Sequence, residues 1–305
     1  MMRFAVIGAG GLGGFFGGLL ANGGHEVHFV VRGRTLAALL DTGLSITGGF
    51  RAHLDRVEAT DDARTIGHVD VVLVTVKAGQ LPDIATQLPP LVGPQTIVLT
   101  MQNGVEAPDT VAEVVGREHV VPCVVRIFTQ LEEPGRISHH GGAGSVTFGA
   151  WDNVETPLIE ATRAAFEGVG ISAPEPPDIW VDLWTKAMFI IPTGALGTLS
   201  GQPMGEVRTA LRDELSACIA EIEAIARARG VRLPPDAVER TLAFVDEQPA
   251  DATTSLQRDL MHGRASELDS QAGAVVRLGR QVGVPTPRHD LMYAVLSLRE
   301  RAARG

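Results

Sequence analysis

The residues with the clearest chemical use are three glycines near the amino terminus. Gly8, Gly10 and Gly13 follow the apolar residues 4–7 with the spacing Gly-x-Gly-x-x-Gly. In such a loop the first glycine permits a tight turn, the second lets backbone amides approach a phosphate, and the third lets the next helix lie close to the strand. We therefore predict that the loop binds the pyrophosphate of a dinucleotide through Gly8, Ala9, Gly10, Gly11, Leu12 and Gly13. The alternative is a glycine-rich turn without a ligand, since the chain has 35 glycines.

Arginines after the second predicted strand indicate which dinucleotide is bound. Where NAD is preferred, an acidic residue about 20 positions after the glycines binds the ribose 2′-hydroxyl. Here the strand ends in Val31, Arg32, Gly33 and Arg34. A guanidinium attracts a 2′-phosphate and can donate two hydrogen bonds to it. We therefore predict NADP as cofactor, with Arg32 at the 2′-phosphate, and the alternative is that Arg32 and Arg34 are ordinary solvated charges.

Four further polar residues could act on a ligand. Lys77 follows the fourth predicted strand and Asn103 follows the fifth, and open α/β sheets bind ligands beyond the carboxyl ends of their strands. Lys186 lies in an otherwise apolar predicted helix, where the local sequence alone favours a surface lysine with its ammonium in water. Glu267 lies near the start of a predicted helix, where the helix dipole alone would favour a carboxylate.

The elements that position these residues fall into two halves. In the first half, strand patterns alternate with helical ones, and Gly48 and Gly49 are predicted to form a hairpin or crossover between residues 44–47 and 53–58. The other predicted strands span residues 27–31, 70–76, 96–100, 120–125, 136–138 and 145–148. The nearly continuous apolar run at 70–76 is typical of a strand that is covered on both faces.

A proline cluster at residues 173–177 marks the end of this pattern. Beyond it the periodicity is helical, at residues 179–196, 207–229, 236–245, 266–282 and 289–301. The predicted fold class is α/β, with an N-terminal Rossmann-type doubly wound sheet followed by an all-helical C-terminal domain. We place the NADP-binding domain at residues 1–175 and the helical substrate and dimerisation domain at 176–305.

Composition limits the classes of function. A length of 305 residues allows two domains, and a net charge of −10 argues against a nucleic-acid binder. The sequence contains no run of about 18 apolar residues, so we predict no membrane-spanning helix. Cys123 and Cys218 show no metal-ligand spacing, so we expect buried free thiols, a cytoplasmic protein and no metal site.

The chain resembles the ketopantoate reductase family, the 2-dehydropantoate 2-reductases, over nearly its whole length. The resemblance is carried by the glycine loop and Arg32, by residues 76–78 and 102–104, by 184–186, by 255 through 267–269, and by 283–287. It implies an NADPH-binding domain joined to a helical domain, hydride transfer to a small-molecule 2-oxo acid, and a place in pantothenate biosynthesis. A homodimer through the helical domain is a possible assembly.

The resemblance also implies roles for single residues. Lys186 matches the catalytic lysine that supplies a proton to the substrate carbonyl oxygen, and Glu267 matches its acidic partner. Asn103 and Lys77 match residues near the nicotinamide and its ribose, and Asn103 also belongs to the predicted substrate site. Ser255 matches a hydrogen-bond donor to the substrate.

One departure from the family pattern concerns the substrate. The family usually has asparagines four and eight residues after the catalytic lysine, where this chain has Ile190 and Gly194. These positions share one helix face, so two groups that could bond substrate oxygens are replaced by an apolar side chain and by none. We expect Ile190 and Gly194 to line the substrate site and to open an apolar pocket, with Thr193 as a substitute donor.

Three functions are therefore weighed from the sequence. The first is NADPH-dependent reduction of ketopantoate or a related 2-oxo acid, with Lys186 as general acid. The second is a D-2-hydroxy acid dehydrogenase resembling the D-mandelate dehydrogenases and acting on an apolar substrate, which Ile190 and Gly194 favour. The third is a non-catalytic NADP-binding sensor, which the lost asparagines favour and the retained Lys186 and Glu267 oppose.

Overall fold

A mixed sheet of nine strands organises the amino-terminal half of the protein, whose computed structural model describes residues 1–304. The strands are β1 (Arg3–Ile7), β2 (Glu26–Val30), β3 (Leu44–Gly48), β4 (Ala52–Leu54), β5 (Glu58–Thr60), β6 (Val69–Val74), β7 (Val92–Thr100), β8 (Val120–Glu133) and β9 (Arg136–Phe148). Their order in the sheet is β4-β3-β9-β8-β7-β6-β1-β2-β5. The six strands from β8 to β5 in this order run parallel, whereas β9 is antiparallel to β8.

Twelve α-helices accompany this sheet within the described residues. Those before residue 170 are α1 (Gly11–Asn22), α2 (Gly33–Thr42), α3 (Leu81–Ile84), α4 (Ala107–Val115) and α5 (Pro157–Gly168). Those after it are α6 (Ile179–Ser200), α7 (Met204–Thr209), α8 (Arg212–Ala228), α9 (Ala237–Asp246), α10 (Ser255–Met261), α11 (Ala274–Val282) and α12 (Pro287–Arg304). The predicted fold class, an α/β sheet followed by a helical domain, is confirmed.

The chain forms two compact units. The first contains Met1–Gln102 and Ala107–Ile179, and the second contains Asn103–Glu106 together with the chain from Trp180 onward. The sequence expectation placed the division between residues 175 and 176. The sequence pattern did not indicate that Asn103–Glu106 pack with the helices.

Strand register brings the loops of the predicted cofactor site to one edge of the sheet. Ile7 lies opposite Val30 on one side and opposite Val74 on the other, and Val74 lies opposite Thr100. These strands are parallel, so their carboxyl ends meet at the same edge. The apolar residues of β6 are buried because both faces of this part of the sheet are covered.

Several predicted boundaries differ from the structure. Residues 53–58, predicted as one strand, divide into β4 and β5, which lie at opposite edges of the sheet. The helix predicted at 207–229 is broken between α7 and α8. The helix predicted at 266–282 begins with a π-helical turn, Asp269–Gly273, before α11. Helices α3, α4, α5 and α10 had no counterpart in the prediction.

Both cysteines are free and buried, as predicted. Burial raises the pKa of the Cys218 thiol to about 12, and the nearby Glu221 carboxylate acts in the same direction. A thiol with so high a pKa is a poor nucleophile because little thiolate forms at neutral pH. Cys218 is therefore a buried packing residue of the helical unit and not a candidate nucleophile.

Candidate active site

The glycine loop joins β1 to α1 in a conformation that depends on two of its glycines. Gly8 has a φ of +93°, and a Cβ there would lie 2.8 Å from Val76 Cγ1. A Cβ at Gly13 would lie 1.9 Å from the Gly8 carbonyl oxygen, so α1 could not approach β1 with any other residue. Gly10 differs, because a Cβ there would meet no atom within 4 Å.

This open position lies where α1 begins. Gly10 is the N-cap residue and has no side chain to accept from the first-turn amides, and no acidic residue occurs in that turn. The unsatisfied amides and the helix dipole together favour an anion. Open space at Gly10 and a tight fit at Gly8 and Gly13 are what a pyrophosphate cradle requires, so these residues fit the dinucleotide that the motif implies.

Thr75 supports the loop from β6 and was missed in the sequence. Its hydroxyl lies 2.9 Å from the Ile7 carbonyl oxygen and 2.7 Å from that of Gly8, and it donates to these acceptors. The Thr75 amide also donates to the Ile7 carbonyl at 3.0 Å. The sequence signal that could have identified Thr75 was its position as a polar residue directly after a buried strand.

Arg32 and Lys77 both lie beyond strands of this sheet edge and are exposed. Arg32 is the N-cap residue of α2, and its guanidinium lies 3.5 Å from the Asp83 carboxylate of α3. The two side chains are 76% and 57% exposed, so the pair contributes at most about 1 kcal/mol. The Lys77 amide donates to Gln80 Oε1 at 3.2 Å, which fixes the backbone from which the lysine side chain extends.

A chain of hydrogen bonds joins three of the predicted site residues in the helical unit. Lys186 Nζ donates to Asn103 Oδ1 at 2.8 Å, and Asn103 Nδ2 donates to Glu267 Oε2 at 3.1 Å. All three side chains are half-buried. If the Asn103 amide were reversed, two donors would face each other at one end and two acceptors at the other, so its orientation is fixed. Asn103 therefore bridges the lysine and the glutamate.

The turn that carries Asn103 is packed tightly against the turn that carries Glu267. Gly104 has a φ of +98°, and a Cβ there would lie 2.5 Å from the Ser270 carbonyl oxygen. Gln271, which is buried, places its Nε2 3.4 Å from Glu267 Oε2. Neither Gly104 nor Gln271 was predicted as part of the site.

An ion-pair network around Arg277 lies beside the turns that carry Asn103 and Glu267. Arg277 donates to both oxygens of Glu106, at 3.2 and 2.7 Å, and to Asp269 Oδ1 at 3.0 Å. Burial acts to raise the pKa of Asp269, but hydrogen bonds from Tyr293 and Arg277 outweigh it and lower that pKa. The hydrogen bonds to Glu106 raise the pKa of the Arg277 guanidinium despite its burial. The segment from Asn103 to Glu106 is thus held at both ends.

Ile190 and Gly194 lie in α6, four and eight residues after Lys186. A Cβ at Gly194 would lie 3.0 Å from Thr254 Oγ1 and 3.2 Å from Leu256 Cδ2. The space beside Gly194 is therefore filled by the start of α10, and the expectation that Gly194 opens a pocket is wrong. Ile190 is half-buried.

Two hydroxyl residues near Gly194 differ in exposure. The Thr193 hydroxyl is buried and donates to the Phe189 carbonyl at 2.6 Å, so its proton is already used within α6. The expectation that Thr193 donates in place of a lost asparagine is therefore wrong. Ser255 is exposed at the first position of α10, next to Thr254.

The structure thus sorts the predicted residues into two groups. Lys186, Asn103 and Glu267 are hydrogen-bonded together in the helical unit, whereas the glycine loop, Arg32 and Lys77 share one edge of the sheet in the first unit. Within residues 1–304 no helix is long and apolar enough to cross a membrane. That same part of the chain contains no group of three His, Cys, Asp or Glu side chains that could hold a metal ion.

Comparison with known proteins gives consistent similarities. Residues 4–153 match the family model described as ketopantoate reductase PanE/ApbA, and residues 178–300 match its C-terminal model. A 2-dehydropantoate 2-reductase of Caulobacter vibrioides is 30% identical, covering 97% of this chain and 99% of its own.

Two solved structures show the same fold. That of 2-dehydropantoate 2-reductase from Methylococcus capsulatus is 26% identical with a TM-score of 0.90, over 100% of this chain and 98% of its own. A D-mandelate dehydrogenase with NADH and anilino(oxo)acetate is 22% identical with a TM-score of 0.86, over 100% of both chains. The latter likeness concerns the fold alone.

Proposed function

The chain belongs to the ketopantoate reductase family of oxidoreductases, and we propose that it reduces a 2-oxo acid to the 2-hydroxy acid with NADPH. Ketopantoate is the first substrate we assign, which would place the enzyme in pantothenate biosynthesis. The observation that carries the proposal is the bridge from Lys186 through Asn103 to Glu267. A protonated amine held by a polarised amide is what reduction of a carbonyl group needs at the oxygen.

The cofactor would be held by residues of the first unit. The Gly8–Gly13 loop offers the first-turn amides of α1 to the pyrophosphate, and Arg32 offers its guanidinium to a 2′-phosphate. Lys77 lies at the same sheet edge, where we assign it to the ribose on the nicotinamide side. When bound, the reduced nicotinamide supplies the hydride.

Lys186 performs the proton transfer in this proposal. An ammonium has three N–H donors, of which Asn103 accepts from one, and we assign another to the 2-oxo oxygen. As the hydride reaches C2, the carbonyl π electrons move to the oxygen and Lys186 transfers its proton there. The products are the 2-hydroxy acid, the oxidised cofactor and neutral Lys186, which solvent reprotonates.

Asn103 and Glu267 hold that lysine in position. The Glu267 carboxylate accepts from Asn103 Nδ2, which keeps the amide oxygen directed at Lys186. The negative charge of Glu267 polarises the Asn103 amide and so strengthens the hydrogen bond from Lys186 to its oxygen. Ser255 is assigned to a substrate oxygen, since its hydroxyl lies exposed at the start of α10.

Ile190 favours a second candidate, a D-2-hydroxy acid dehydrogenase acting on a substrate with an apolar side chain. Ile190 lies one helical turn after Lys186 and is half-buried. A side chain without a polar atom cannot bond a substrate hydroxyl, whereas it can contact an aryl or branched alkyl group. The candidate therefore differs from the first in substrate, with the same Lys186 chemistry.

One set of assays separates the two candidates. The purified protein is offered ketopantoate, benzoylformate and branched 2-oxo acids, each with NADPH and with NADH. We expect the highest kcat/KM with ketopantoate and NADPH. Good turnover of benzoylformate without turnover of ketopantoate would establish the second candidate, and cofactor binding without turnover of any 2-oxo acid would leave an NADP-binding sensor.

A further inference from the structure

The accessible face of α6 is apolar directly after Lys186. Residues 191–198 of this helix are buried, and between Lys186 and Leu199 only Phe189 and Ile190 are partly exposed. These two follow Lys186 by three and four residues, which makes them its neighbours on the helix surface. Helical side chains lean toward the N-terminus of their helix, so both lean over the turn that carries Lys186. The surface beside Lys186 on this side therefore consists of hydrocarbon side chains.

Phe244 of α9 extends this surface within the helical unit. Its ring packs edge-to-face on the Phe189 ring, with the two centroids 4.9 Å apart and an angle of 82° between the ring planes. The contact leaves 47% of Phe244 exposed. An aromatic ring that is half in water is stabilised when a hydrocarbon group covers it. We call Phe189, Ile190 and Phe244 the apolar wall.

The chemistry of a 2-oxo acid decides which of its groups fits the apolar wall. Carbon C2 is planar and carries the oxo oxygen, the carboxylate and one further group. With the oxygen assigned to Lys186, the other two groups lie on either side of the C2–O bond, a step that rests on the proposed function. A carboxylate against the wall would lose its hydration without gaining a new partner, which is strongly unfavourable. The further group on C2 is therefore the one that lies there.

We propose that the apolar wall receives this group, and that Phe244 selects 2-oxo acids in which the group is aromatic or branched at its first carbon. A branched or aryl group covers more of the Phe244 ring than a linear chain does, and the apolar area removed from water stabilises the complex. Ketopantoate carries two methyl groups on that carbon and benzoylformate carries a phenyl ring, so the inference applies to both candidate functions. Phe244 is thus a specificity-determining residue and takes no part in proton transfer.

The test uses two substrates that differ only in methyl groups. These are 2-oxobutanoate and 3,3-dimethyl-2-oxobutanoate, of which the second has two more methyl groups on C3, as ketopantoate has. Steady-state kcat/KM with NADPH is measured on the full chain for the wild type, Phe244→Ala and Phe244→Leu. Leu291→Ala is the matched control, because Leu291 of α12 is also an exposed apolar residue of the helical unit. Thermal unfolding verifies that each variant is folded.

We expect the wild type to prefer the dimethyl substrate, and Phe244→Ala to lower kcat/KM for it about tenfold while the value for 2-oxobutanoate stays within about twofold. Phe244→Leu should retain most of the preference, and Leu291→Ala should change neither value. An unchanged preference in Phe244→Ala would overturn the proposal. Equal losses with both substrates would also overturn it, because they indicate a structural role. A wild type that reduces none of these acids, nor ketopantoate or benzoylformate, contradicts the proposed function, and the inference falls with it.

Discussion

Asn103 joins two charged side chains that lie far from it in sequence. Lys186 is 83 residues away and Glu267 is 164 residues away. The residues around Lys186 favoured a solvated surface lysine, because local sequence carries no information on contacts over such separations. Asn103 was singled out by its place after a predicted strand, whereas Lys186 and Glu267 were assigned to the site only through the resemblance to a family, and the structure then showed the contacts of all three. Their roles in the reaction stay predictions.

Removing the Lys186 ammonium tests its role directly. For Lys186→Ala we expect kcat to fall about 10²- to 10⁴-fold, because general acid catalysis is lost. The dissociation constant for NADPH should stay within about twofold, since the cofactor is assigned to residues of the first unit. Stopped-flow or steady-state turnover and fluorescence titration measure the two quantities. Turnover near the wild-type value would show that Lys186 is not the proton donor.

Arg32 and its partner Asp83 make an opposed pair of predictions on cofactor choice. Arg32→Ala should weaken the binding of NADPH and leave that of NADH nearly unchanged. Only NADPH carries the 2′-phosphate, which loses its cationic partner in this variant. Asp83→Asn should strengthen NADPH binding a few-fold. In the wild type the Asp83 carboxylate, 3.5 Å from Arg32, competes with the 2′-phosphate for the Arg32 guanidinium. Dissociation constants for both cofactors at low and at high salt measure these changes. Equal changes for NADPH and NADH would count against a 2′-phosphate at Arg32.

At the scale of elements, strongly patterned segments were predictable and contacts between elements were not. The apolar run of β6 and the glycine turn before α1 are local signals, and both predictions hold. The expected pocket at Gly194 failed because the start of α10 fills that space, and α10 itself was not predicted. A missing side chain in a sequence is compatible with a cavity or with close helix packing, and only the neighbouring element decides.

The turn at Gly104 yields a prediction on stability and activity together. In Gly104→Ala the new Cβ would lie 2.5 Å from a backbone oxygen at a φ of +98°. We expect a loss of about 1–3 kcal/mol in unfolding free energy and a lower kcat, because Asn103 shifts with the turn. Urea unfolding and steady-state turnover report the two effects.

Gly168→Ala is the matched control for this turn. Gly168 ends α5, and a Cβ there would meet no atom within 4 Å. Its unfolding free energy and turnover should therefore stay near the wild-type values. If Gly104→Ala behaves like this control, the turn does not position Asn103.

At the scale of the whole molecule, a buried pair makes the stability of the helical unit depend on pH. Glu221 in α8 accepts from the amides of Arg288 and His289 at the start of α12 and lies 2.6 Å from His289 Nδ1. Burial acts to raise the pKa of Glu221, but these hydrogen bonds outweigh it and hold that pKa below its ordinary value. A carboxyl with a lowered pKa in the folded state stabilises the fold above its ordinary pKa, and this contribution is lost as pH falls.

We therefore expect acid to destabilise the wild type more than Glu221→Gln. At pH 7 the variant should be less stable by about 1.5–3 kcal/mol, because hydrogen bonds to a charged acceptor are lost. Between pH 5 and pH 3 the difference should shrink as Glu221 in the wild type takes up a proton. Urea unfolding at several pH values measures it, with Glu247→Gln as an exposed control. A difference that is constant over this range would contradict the assignment.

The packing of Asn103–Glu106 with the helices bears on how this protein could exchange parts with its relatives. A chimaera that takes residues 180–304 from one relative and the remainder from another would draw Lys186 and Glu267 from one parent and Asn103 from the other. Arg277 and Glu106 would be divided in the same way. Recombination that preserves the helical unit must therefore transfer two stretches of gene together, of which the shorter encodes four residues.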